Sequence, residues 1–386
     1  MPESDPDSAP LKLGAVDVLP AGELERRLAR EAPLRVKLGI DPTAPDIHLG
    51  HVVVLEKLRQ FQQAGHTAVM IIGDYTARVG DPSGRSSERP VLDEGQIEAN
   101  ARTFQKQAFN VLDPDLTEVR FNSEWLDMPS AELFALARRF TVARLLERDD
   151  FSKRMAAAQP ISMLELLYPV LQGYDSVAVR ADLELGGTEQ KFNLLFARDV
   201  QASFGHPPQA VMTMPILPGT DGVRKMSKTL RNYVGVAEPA EEIFGKLMSV
   251  PDAALDQYWE LLLGEELDRE RPPLGAKREL ARRICDRFAG PGAGGGAEER
   301  FDLIHRDGGI PEDVPIHELG PDGTVHLPVL LREQFGISGS EARRLIDQGA
   351  VRLDGGVLPG GRFDVPVEEL RGGVLQVGRR RFIRLA

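Results

Sequence analysis

Residues 34–61 read LRVKLGI, DPTAPDIHLGH and VVVLEKLRQF in succession. The first part is a strand-like run and the third has a helical pattern, so the middle part joins a strand to a helix. That part ends in His48 and His51, which share one helix face because they are three residues apart. The free amides and positive dipole end of a helix N-terminus attract anions. The segment therefore predicts a phosphate-facing site.

Two other interpretations of the histidine pair have to be weighed. A zinc site needs more ligands than two histidines without a cysteine partner. A plain capped helix start remains open when the segment is taken alone. A second loop, 225–229, favours phosphate binding, because Lys225 and Lys228 there supply mobile positive charge.

Strand and helix patterns alternate through the first 217 residues. The continuous apolar run at 67–74 is typical of a strand that is covered on both faces of a parallel sheet. The predicted strands are 34–40, 67–74, 118–122, 177–185 and 209–217. Helical patterns lie between them, which predicts an α/β fold with a Rossmann-like, doubly wound parallel sheet. Ligands of such sheets bind at the carboxyl ends of the strands.

The remainder of the chain has a different character. From about residue 238 to 306 the patterns are helical only, with a glycine-rich loop or break at 290–296. We expect a Rossmann-type catalytic domain, an α-helical domain, a linker and a small α+β domain. Their predicted bounds are 1–234, 235–312, 313–326 and 327–386.

The charge of the chain is uneven. The total of −12 argues against a protein that coats nucleic acid. Residues 327–386, however, contain ten arginines and seven acids, a balance of +3, so the first 326 residues carry −15. A basic end on an acidic body predicts RNA contact confined to one module, with a solvated surface as the alternative.

Composition also suggests a location in the cell. A single cysteine, Cys285, excludes an intramolecular disulfide and favours a reducing compartment. The acidic N-terminus is unlike a signal peptide, and no apolar run approaches membrane-spanning length. We expect a cytoplasmic protein with neither a membrane nor DNA as a partner.

Two short motifs resemble the HIGH and KMSKS signatures of class I aminoacyl-tRNA synthetases. They are His48-Leu49-Gly50-His51 and Lys225-Met226-Ser227-Lys228-Thr229. Three further runs, at 80–84, 168–175 and 186–190, resemble the tyrosyl-tRNA synthetase family, and the resemblance extends from about residue 30 to the end. It implies that tyrosine is adenylated by ATP with Mg²⁺ and then transferred to the terminal ribose of tRNA(Tyr).

The resemblance also implies roles for residues at the ATP end of the site. Adenylation needs no covalent nucleophile, because positioning and electrostatics carry it. The residues that would meet the phosphates are Thr43, His48, Lys225, Lys228 and Thr229. Gly50 and His51 would border the ribose and adenine, and Asp41 and Glu189 would complete the nucleotide contacts. The resemblance implies no metal site formed by the protein itself.

The amino-acid pocket has a pattern of its own. Tyr168, Gln172 and Asp175 are four and seven residues apart, so they line one helix face, which is either solvent-facing or part of a pocket. The resemblance implies that Asp175 accepts a hydrogen bond from the substrate phenol. The other residues implied to bind tyrosine are Lys37, Asp81, Asn122, Tyr168, Gln172 and Gln190.

Three positions depart from the common bacterial pattern. Lys37 replaces a tyrosine that often reads the substrate hydroxyl, Glu189 replaces an aspartate, and Arg85 stands where a lysine is common. The first two changes fall at the positions that would make the second contact to the hydroxyl and the contact to the ribose. They indicate a divergent branch of the family rather than another specificity.

The end of the chain resembles a second family. Residues 340–355 resemble the S-four-like RNA-binding domain, while 235–312 would be the anticodon-side domain. The arginines implied to bind RNA are Arg343, Arg344, Arg379, Arg380 and Arg381. Family members are homodimers, which the resemblance implies here too. The alternatives are a tryptophanyl-tRNA synthetase-like enzyme, another nucleotidyltransferase, and an RNA-binding regulator with a degenerate synthetase body.

Overall fold

The computed structural model describes residues 8–30, 32–43, 46–82, 93–306, 309–311, 314–321, 323–378 and 381–386. Its contacts divide the chain into two units, Met1–Gly290 and Pro291–Ala386. The finer division into catalytic, helical, linker and RNA-binding parts stays a prediction.

The first unit is built on a six-stranded sheet. Its strands are Asp17–Leu19 (β1), Arg35–Ile40 (β2), Thr67–Ile72 (β3), Thr117–Phe121 (β4), Leu183–Gly187 (β5) and Ala210–Met214 (β6). The order is β1-β6-β5-β2-β3-β4; β2 to β6 form a parallel sheet, and β1 pairs antiparallel with β6. This confirms the α/β class. Three-residue β1 was not predicted, because so short a strand shows no alternation.

Helices cover the sheet and extend beyond it. Those of the first unit are Ser8–Lys12 (α1), Glu23–Leu28 (α2), Leu49–Gln63 (α3), Thr76–Val79 (α4), Glu94–Ala108 (α5), Ser123–Leu126 (α6), Ser130–Ala137 (α7), Val142–Leu145 (α8), Asp149–Ala156 (α9), Met163–Ala178 (α10), Lys191–Ser203 (α11), Ala240–Met248 (α12), Leu255–Leu263 (α13) and Pro273–Ala289 (α14). Short 3₁₀ helices lie at Pro114–Leu116, Thr188–Gln190 and Asp252–Ala254. Residues 240–289 are thus mainly helical, as predicted.

The boundary between α10 and β5 differs from the prediction. The strand predicted at 177–185 is wrong in its first half, because Val177 and Ala178 complete α10 and β5 begins at Leu183. Arg180, with a φ of +51°, turns the chain between them. Buried Val177 and Val179 pack into the core, so their alternation reflects the end of a helix and a turn, not a strand.

Close packing fixes α10 against the body. A Cβ on Gly173 would lie 2.5 Å from Val200 Cγ2 of α11, so only glycine fits at this crossing. In the sheet, β2 and β5 are neighbours, with Lys37 in register with Glu184. The carboxyl ends of β2 and β5, the start of α3 and one face of α10 therefore converge on the same region.

The second unit combines helices with small sheets. Its helices are Ala293–His305 (α15), Leu327–Phe335 (α16), Gly339–Asp347 (α17) and Val367–Leu370 (α18), and its strands are Ile316–His317 (β7), Thr324–His326 (β8), Val351–Leu353 (β9), Gly356–Val357 (β10), Asp364–Pro366 (β11), Val374–Val377 (β12) and Arg381–Leu385 (β13). One sheet has the order β10-β9-β12-β13-β7, and β11 pairs with β8.

Two segments of this unit contain regular secondary structure where the sequence showed no pattern for it. The glycine-rich run at 290–296, predicted as a loop or break, enters α15 at Ala293. Residues 313–326, predicted as a linker, include β7 and β8, which pair with β13 and β11. β7 and β8 are two and three residues long, and proline, glycine and acidic residues surround them in the sequence. For this reason no periodic pattern marked them.

Among the described helices, none has the length and apolar character needed to cross a membrane.

Candidate active site

A cavity of about 310 Å³ opens at the carboxyl ends of the central strands. Most residues predicted for the site line it. They are Asp41, Thr43, His48, Gly50, His51, Asp81, Asn122, Tyr168, Gln172, Asp175, Glu189, Gln190 and Lys225. Three predicted residues, Lys37, Lys228 and Thr229, are not among the lining residues.

The histidine pair lies at the start of α3 and lines this cavity. His48 is the extended N-cap residue, and the two imidazoles stack with their centroids 3.8 Å apart. The His48 backbone N–H donates to His51 Nδ1 at 3.2 Å, which places the His51 ring proton on Nε2. His48 Nδ1 is buried without a hydrogen-bond partner among the described residues. The pair thus has hydrogen-bonding capacity left for a ligand.

Both histidines are neutral at physiological pH. Burial, His51 and Lys228 lower the pKa of His48 to about 2, and burial with Lys228 lowers the pKa of His51 to about 4. The rings therefore offer hydrogen bonds and not positive charge. A Cβ on Gly50 would lie 3.0 Å from the His48 ring, so glycine keeps this packed turn accessible.

The lysine loop lies beside the histidines but is not fully turned toward the cavity. Lys225 is exposed and lines the cavity, whereas Thr229 is exposed outside it. Lys228 Nζ lies 2.7 Å from Asp46 Oδ2. Buried Asn232, which the sequence did not single out, holds the loop by accepting from Ser227 N at 2.8 Å and donating to the Lys225 carbonyl at 3.1 Å.

The resemblance implies that Lys228 meets the phosphates of ATP, and on that expectation Asp46→Asn should lower the KM for ATP. The hydrogen bond with Lys228 lowers the pKa of Asp46, so its carboxylate is charged and competes with phosphates for Lys228. Asparagine removes that charge and keeps an oxygen for Gln107 Nε2, which donates to Asp46 at 3.1 Å. The measurement is the ATP dependence of pyrophosphate exchange, with Asp149→Asn, an exposed acid paired with Lys153, as control. A raised KM for ATP in D46N would contradict this competition.

The α10 face points into the body and not to solvent. Asp175 is only 3% exposed, and its Oδ1 accepts from Trp125 Nε1 at 2.8 Å. Its Oδ2 has a longer contact, 3.4 Å from Asn122 Nδ2. Burial raises the pKa of Asp175 to about 7, although Lys37 and the two hydrogen bonds oppose that rise. One oxygen of a buried carboxylate is thus available to a donor in the cavity.

Asp41 is fixed just past the carboxyl end of β2, where it lines the cavity. Tyr168 Oη donates to Asp41 Oδ2 at 2.9 Å, and Thr76 Oγ1 donates to Asp41 Oδ1 at 2.7 Å. Burial and the Asp41 carboxylate raise the pKa of Tyr168 well above its usual value, so the phenol keeps its proton. Thr76 was not predicted; its position just past the carboxyl end of β3 was the available signal.

A second network holds two amide side chains of the cavity lining, Gln172 and Gln190. Gln190 Nε2 donates to Asp81 Oδ2 at 2.7 Å. Asn193 Nδ2 donates to Gln172 Oε1 at 2.9 Å and to Gln190 Oε1 at 3.1 Å. Buried Asn193 was not predicted, because its role depends on contacts that bring α10 and α11 together. These bonds orient a carboxylate and two amides suited to an ammonium group.

Lys37 lies behind the cavity wall. Its ammonium group is fully buried, pairs with Glu184 Oε1 at 2.8 Å, and donates to Ser176 Oγ at 2.8 Å and to the Gln172 carbonyl at 3.1 Å. Glu184 itself lines the cavity and was not predicted. Because Lys37 does not line the cavity, the structure gives no support to a direct contact between Lys37 and tyrosine. Arg85, the other unusual cation, lies outside the described residues.

The predicted RNA-binding arginines belong to the second unit. Arg343 and Arg344 are exposed on α17, and the Arg343 guanidinium lies 6.0 Å from the Phe363 ring centroid. Arg381 is exposed at the start of β13, while Arg379 and Arg380 lie outside the described residues.

The parallel sheet, with an HLGH motif and a KMSKT motif at one cavity, indicates a single class of enzyme, which comparison with known proteins identifies. Residues 29–272 match the family model for tRNA synthetases class I (W and Y). Among solved structures, a C-terminally truncated mitochondrial tyrosyl-tRNA synthetase from Aspergillus nidulans matches with a TM-score of 0.63 and 19% identity, covering 76% of this chain and 92% of the other. A tyrosyl-tRNA synthetase complexed with L-tyrosine from Archaeoglobus fulgidus gives 0.60 and 21%, with 75% and 97% covered. The fold is that of class I aminoacyl-tRNA synthetases.

Curated relatives are similar over almost the whole chain. The tyrosine–tRNA ligase of Bordetella pertussis is 48% identical over 401 residues, which cover 100% of this chain and 97% of the relative. That of Thermotoga maritima is 47% identical over 388 residues, covering 97% and 96%. The chain belongs to the tyrosine–tRNA ligase family.

Proposed function

We propose that this enzyme joins tyrosine to ATP, releases pyrophosphate, and transfers the tyrosyl group of tyrosyl-AMP to the terminal adenosine ribose of tRNA(Tyr). The observation that carries the choice of amino acid is the buried Asp175 carboxylate, whose Oδ2 has only the 3.4 Å contact from Asn122. A phenol hydroxyl supplies the missing donor. The full-length tyrosine–tRNA ligase relatives support the same substrate, and pyrophosphate exchange with separate amino acids tests it.

The first step is a displacement at the α-phosphorus. A tyrosine carboxylate oxygen bonds to phosphorus, and the bond to the bridging oxygen breaks as pyrophosphate leaves with its electron pair. No side chain has to become a nucleophile or remove a proton. Neutral His48 and His51 provide hydrogen bonds, and Lys225 and Lys228 provide charge for the negative phosphate oxygens.

The amino-acid end orients that carboxylate. Asp175 would bind the hydroxyl at one end of the substrate. Asp81, Gln172, Gln190 and Tyr168 would hold the ammonium group at the other end, with Asn193 and Asp41 fixing their directions. The substrate is then anchored at both ends while its carboxylate faces the nucleotide.

Mg²⁺ would enter with ATP. Among the described residues there is no group of three or more His, Cys, Asp or Glu side chains arranged to hold a metal ion. The donors present fit an ion carried mainly by phosphate oxygens, which is the usual binding mode of Mg²⁺ with nucleotides. There the ion would neutralise charge on the departing pyrophosphate.

A homodimer in the cytoplasm is the proposed state of the enzyme. Large apolar side chains are exposed on α7, α9 and the start of α10. They are Phe134, Met155, Met163 and Leu164, which are 53–71% exposed. Exposed apolar side chains on neighbouring elements suit burial against a second copy of the chain. The single free cysteine fits a reducing compartment.

The second unit would bind tRNA. Its charge of +3 over residues 327–386 and the exposed Arg343 and Arg344 support contact with phosphates. The ion pair between Arg362 and Glu369 Oε2 at 2.6 Å leaves that arginine less suited to the role.

We expect the double variant Arg343→Ala/Arg344→Ala to raise the KM for tRNA while pyrophosphate exchange with tyrosine is unchanged. Removing each arginine that binds a phosphate should also reduce the log–log slope of binding against salt concentration by about one. Aminoacylation and filter binding at several salt concentrations measure both effects. Arg102→Ala, an exposed arginine of α5 paired with Glu98, is the control. An unchanged KM and slope would contradict the RNA assignment.

A further inference from the structure

Lys37 and Glu184 form a buried ion pair beneath the amino-acid pocket. They face each other across the β2–β5 pairing, and the exposed fractions of their side chains are 0% and 1%. Lys37 directs its three protons to Glu184, Ser176 and the Gln172 carbonyl. Glu184 Oε2 accepts from Ser176 Oγ at 3.1 Å and from Gln209 Nε2. Both members of the pair are thus hydrogen-bonded to neighbours as well as to each other.

The pair shares its surroundings with Asp175. Lys37 faces Asp175 from β2 and Glu184 faces it from β5, while Asn122 and Trp125 approach from the α6 side with neutral donors. On α10 itself the titratable neighbour is Tyr168, whose phenol is protonated and hydrogen-bonded to Asp41. The Asp81 carboxylate also raises the pKa of Tyr168. Two buried carboxylates thus depend on one ammonium group.

We propose that Lys37 is a positioning residue for recognition of the substrate hydroxyl: paired with Glu184, it keeps Asp175 in the ionised form that accepts a hydrogen bond, without touching the amino acid. The proposal rests on the proposed reaction with tyrosine. In this role the charge of Lys37, which lies behind the cavity wall, takes the place of a second direct contact to the hydroxyl.

The direction of the effect follows from the charges. Burial raises the pKa of Asp175 to about 7, Lys37 lowers it and Glu184 raises it. Above that pH the ionised carboxylate accepts from tyrosine and is left unpaired by phenylalanine, which is costly in a buried site. Below it, the protonated carboxyl penalises phenylalanine less. The preference for tyrosine over phenylalanine should therefore rise with pH through about 7.

Removing Lys37 and removing Glu184 should shift the pH midpoint of that rise in opposite directions. Lys37→Met removes a favourable charge near Asp175, so the midpoint should move up by about one pH unit or more. Glu184→Gln removes a repelling charge, so the midpoint should move down. In the double variant K37M/E184Q the two effects oppose each other, and the midpoint should return toward the wild-type value.

The test is pyrophosphate exchange by the full-length enzyme from pH 6 to 9, with kcat/KM measured separately for tyrosine and phenylalanine. The ratio of the two values removes the ionisations of ATP and of the substrate ammonium group, which are common to both reactions. Arg154→Met, which breaks the buried pair of Arg154 and Glu165 away from the cavity, is the control. It should lower the melting temperature and leave the midpoint in place.

Opposite shifts in the single variants and a return in the double variant support the positioning role. An unchanged midpoint in folded K37M overturns it. If K37M does not fold, as judged by circular dichroism, E184Q decides, because an unchanged or raised midpoint there also overturns the proposal. A wild-type enzyme that fails to activate tyrosine would instead refute the proposed function, so the two failures are distinguishable.

Discussion

Asp175→Ala should lower kcat/KM for tyrosine in pyrophosphate exchange by roughly 10²-fold and change activity with phenylalanine far less. The substrate hydroxyl is the donor that Asp175 Oδ2 lacks, since Asn122 approaches only to 3.4 Å. A hydrogen bond to a charged group contributes about 1.5–3 kcal/mol, and the upper end of that range corresponds to a loss of about 10²-fold. Phenylalanine makes no such bond, so the substitution should change kcat/KM for phenylalanine little.

Two variants separate this role from general damage to the pocket. Asp175→Asn keeps the size of the side chain and an acceptor oxygen but removes the charge, so it should fall between wild type and D175A. Asp182→Asn alters a carboxylate that pairs with Arg27 outside the cavity and should leave the ratio of tyrosine to phenylalanine unchanged. Equal losses with both amino acids in D175A would contradict the assignment of Asp175 to the hydroxyl.

His48→Ala should lower the rate of adenylation by roughly 10²–10³-fold, with little change in the affinity for tyrosine. The half-buried His48 ring lies at the N-terminus of α3, with its Nδ1 buried, and stacks on His51, so it is already oriented when charge develops on the phosphates. Burial lowers the pKa of His48 to about 2, so the ring is neutral throughout the working range. The loss should consequently be the same at pH 6.5 and pH 8.5, within the range where the wild-type ring stays neutral.

Single-turnover formation of tyrosyl-AMP measures the effect of H48A directly. His66→Ala is the matched control, because His66 does not line the cavity. Its Nδ1 accepts a hydrogen bond from Leu34 N at 3.3 Å. A near wild-type rate for H48A would remove His48 from the reaction. A loss that appears only at low pH would indicate a charged imidazole and contradict the neutral ring.

The sequence predicted those parts of the site that depend on local patterns. The strand, loop and helix at 34–61 could be recognised because each has its own periodicity, and the α10 face followed from the spacing of Tyr168 and Asp175. Those side chains line the cavity, and their roles in binding stay predictions. The strand predicted at 177–185 was wrong in its first half, because a buried helix end followed by a turn shows the same alternation as a strand.

Other parts of the site depend on contacts between distant segments. Trp125 reaches Asp175 across 50 residues, and Thr76 reaches Asp41 across 35. Lys37 was expected among the residues that bind tyrosine, but its pairing with Glu184 depends on the register of β2 and β5. No local periodicity contains that information, because it arises when the sheet forms.

Pyrophosphate exchange by the full-length enzyme, with tyrosine, tryptophan and phenylalanine in separate reactions, tests whether the cavity selects tyrosine and activates it with ATP. We predict exchange that is efficient with tyrosine and weak with the other two. Efficient exchange with tryptophan, or none with tyrosine, would contradict it.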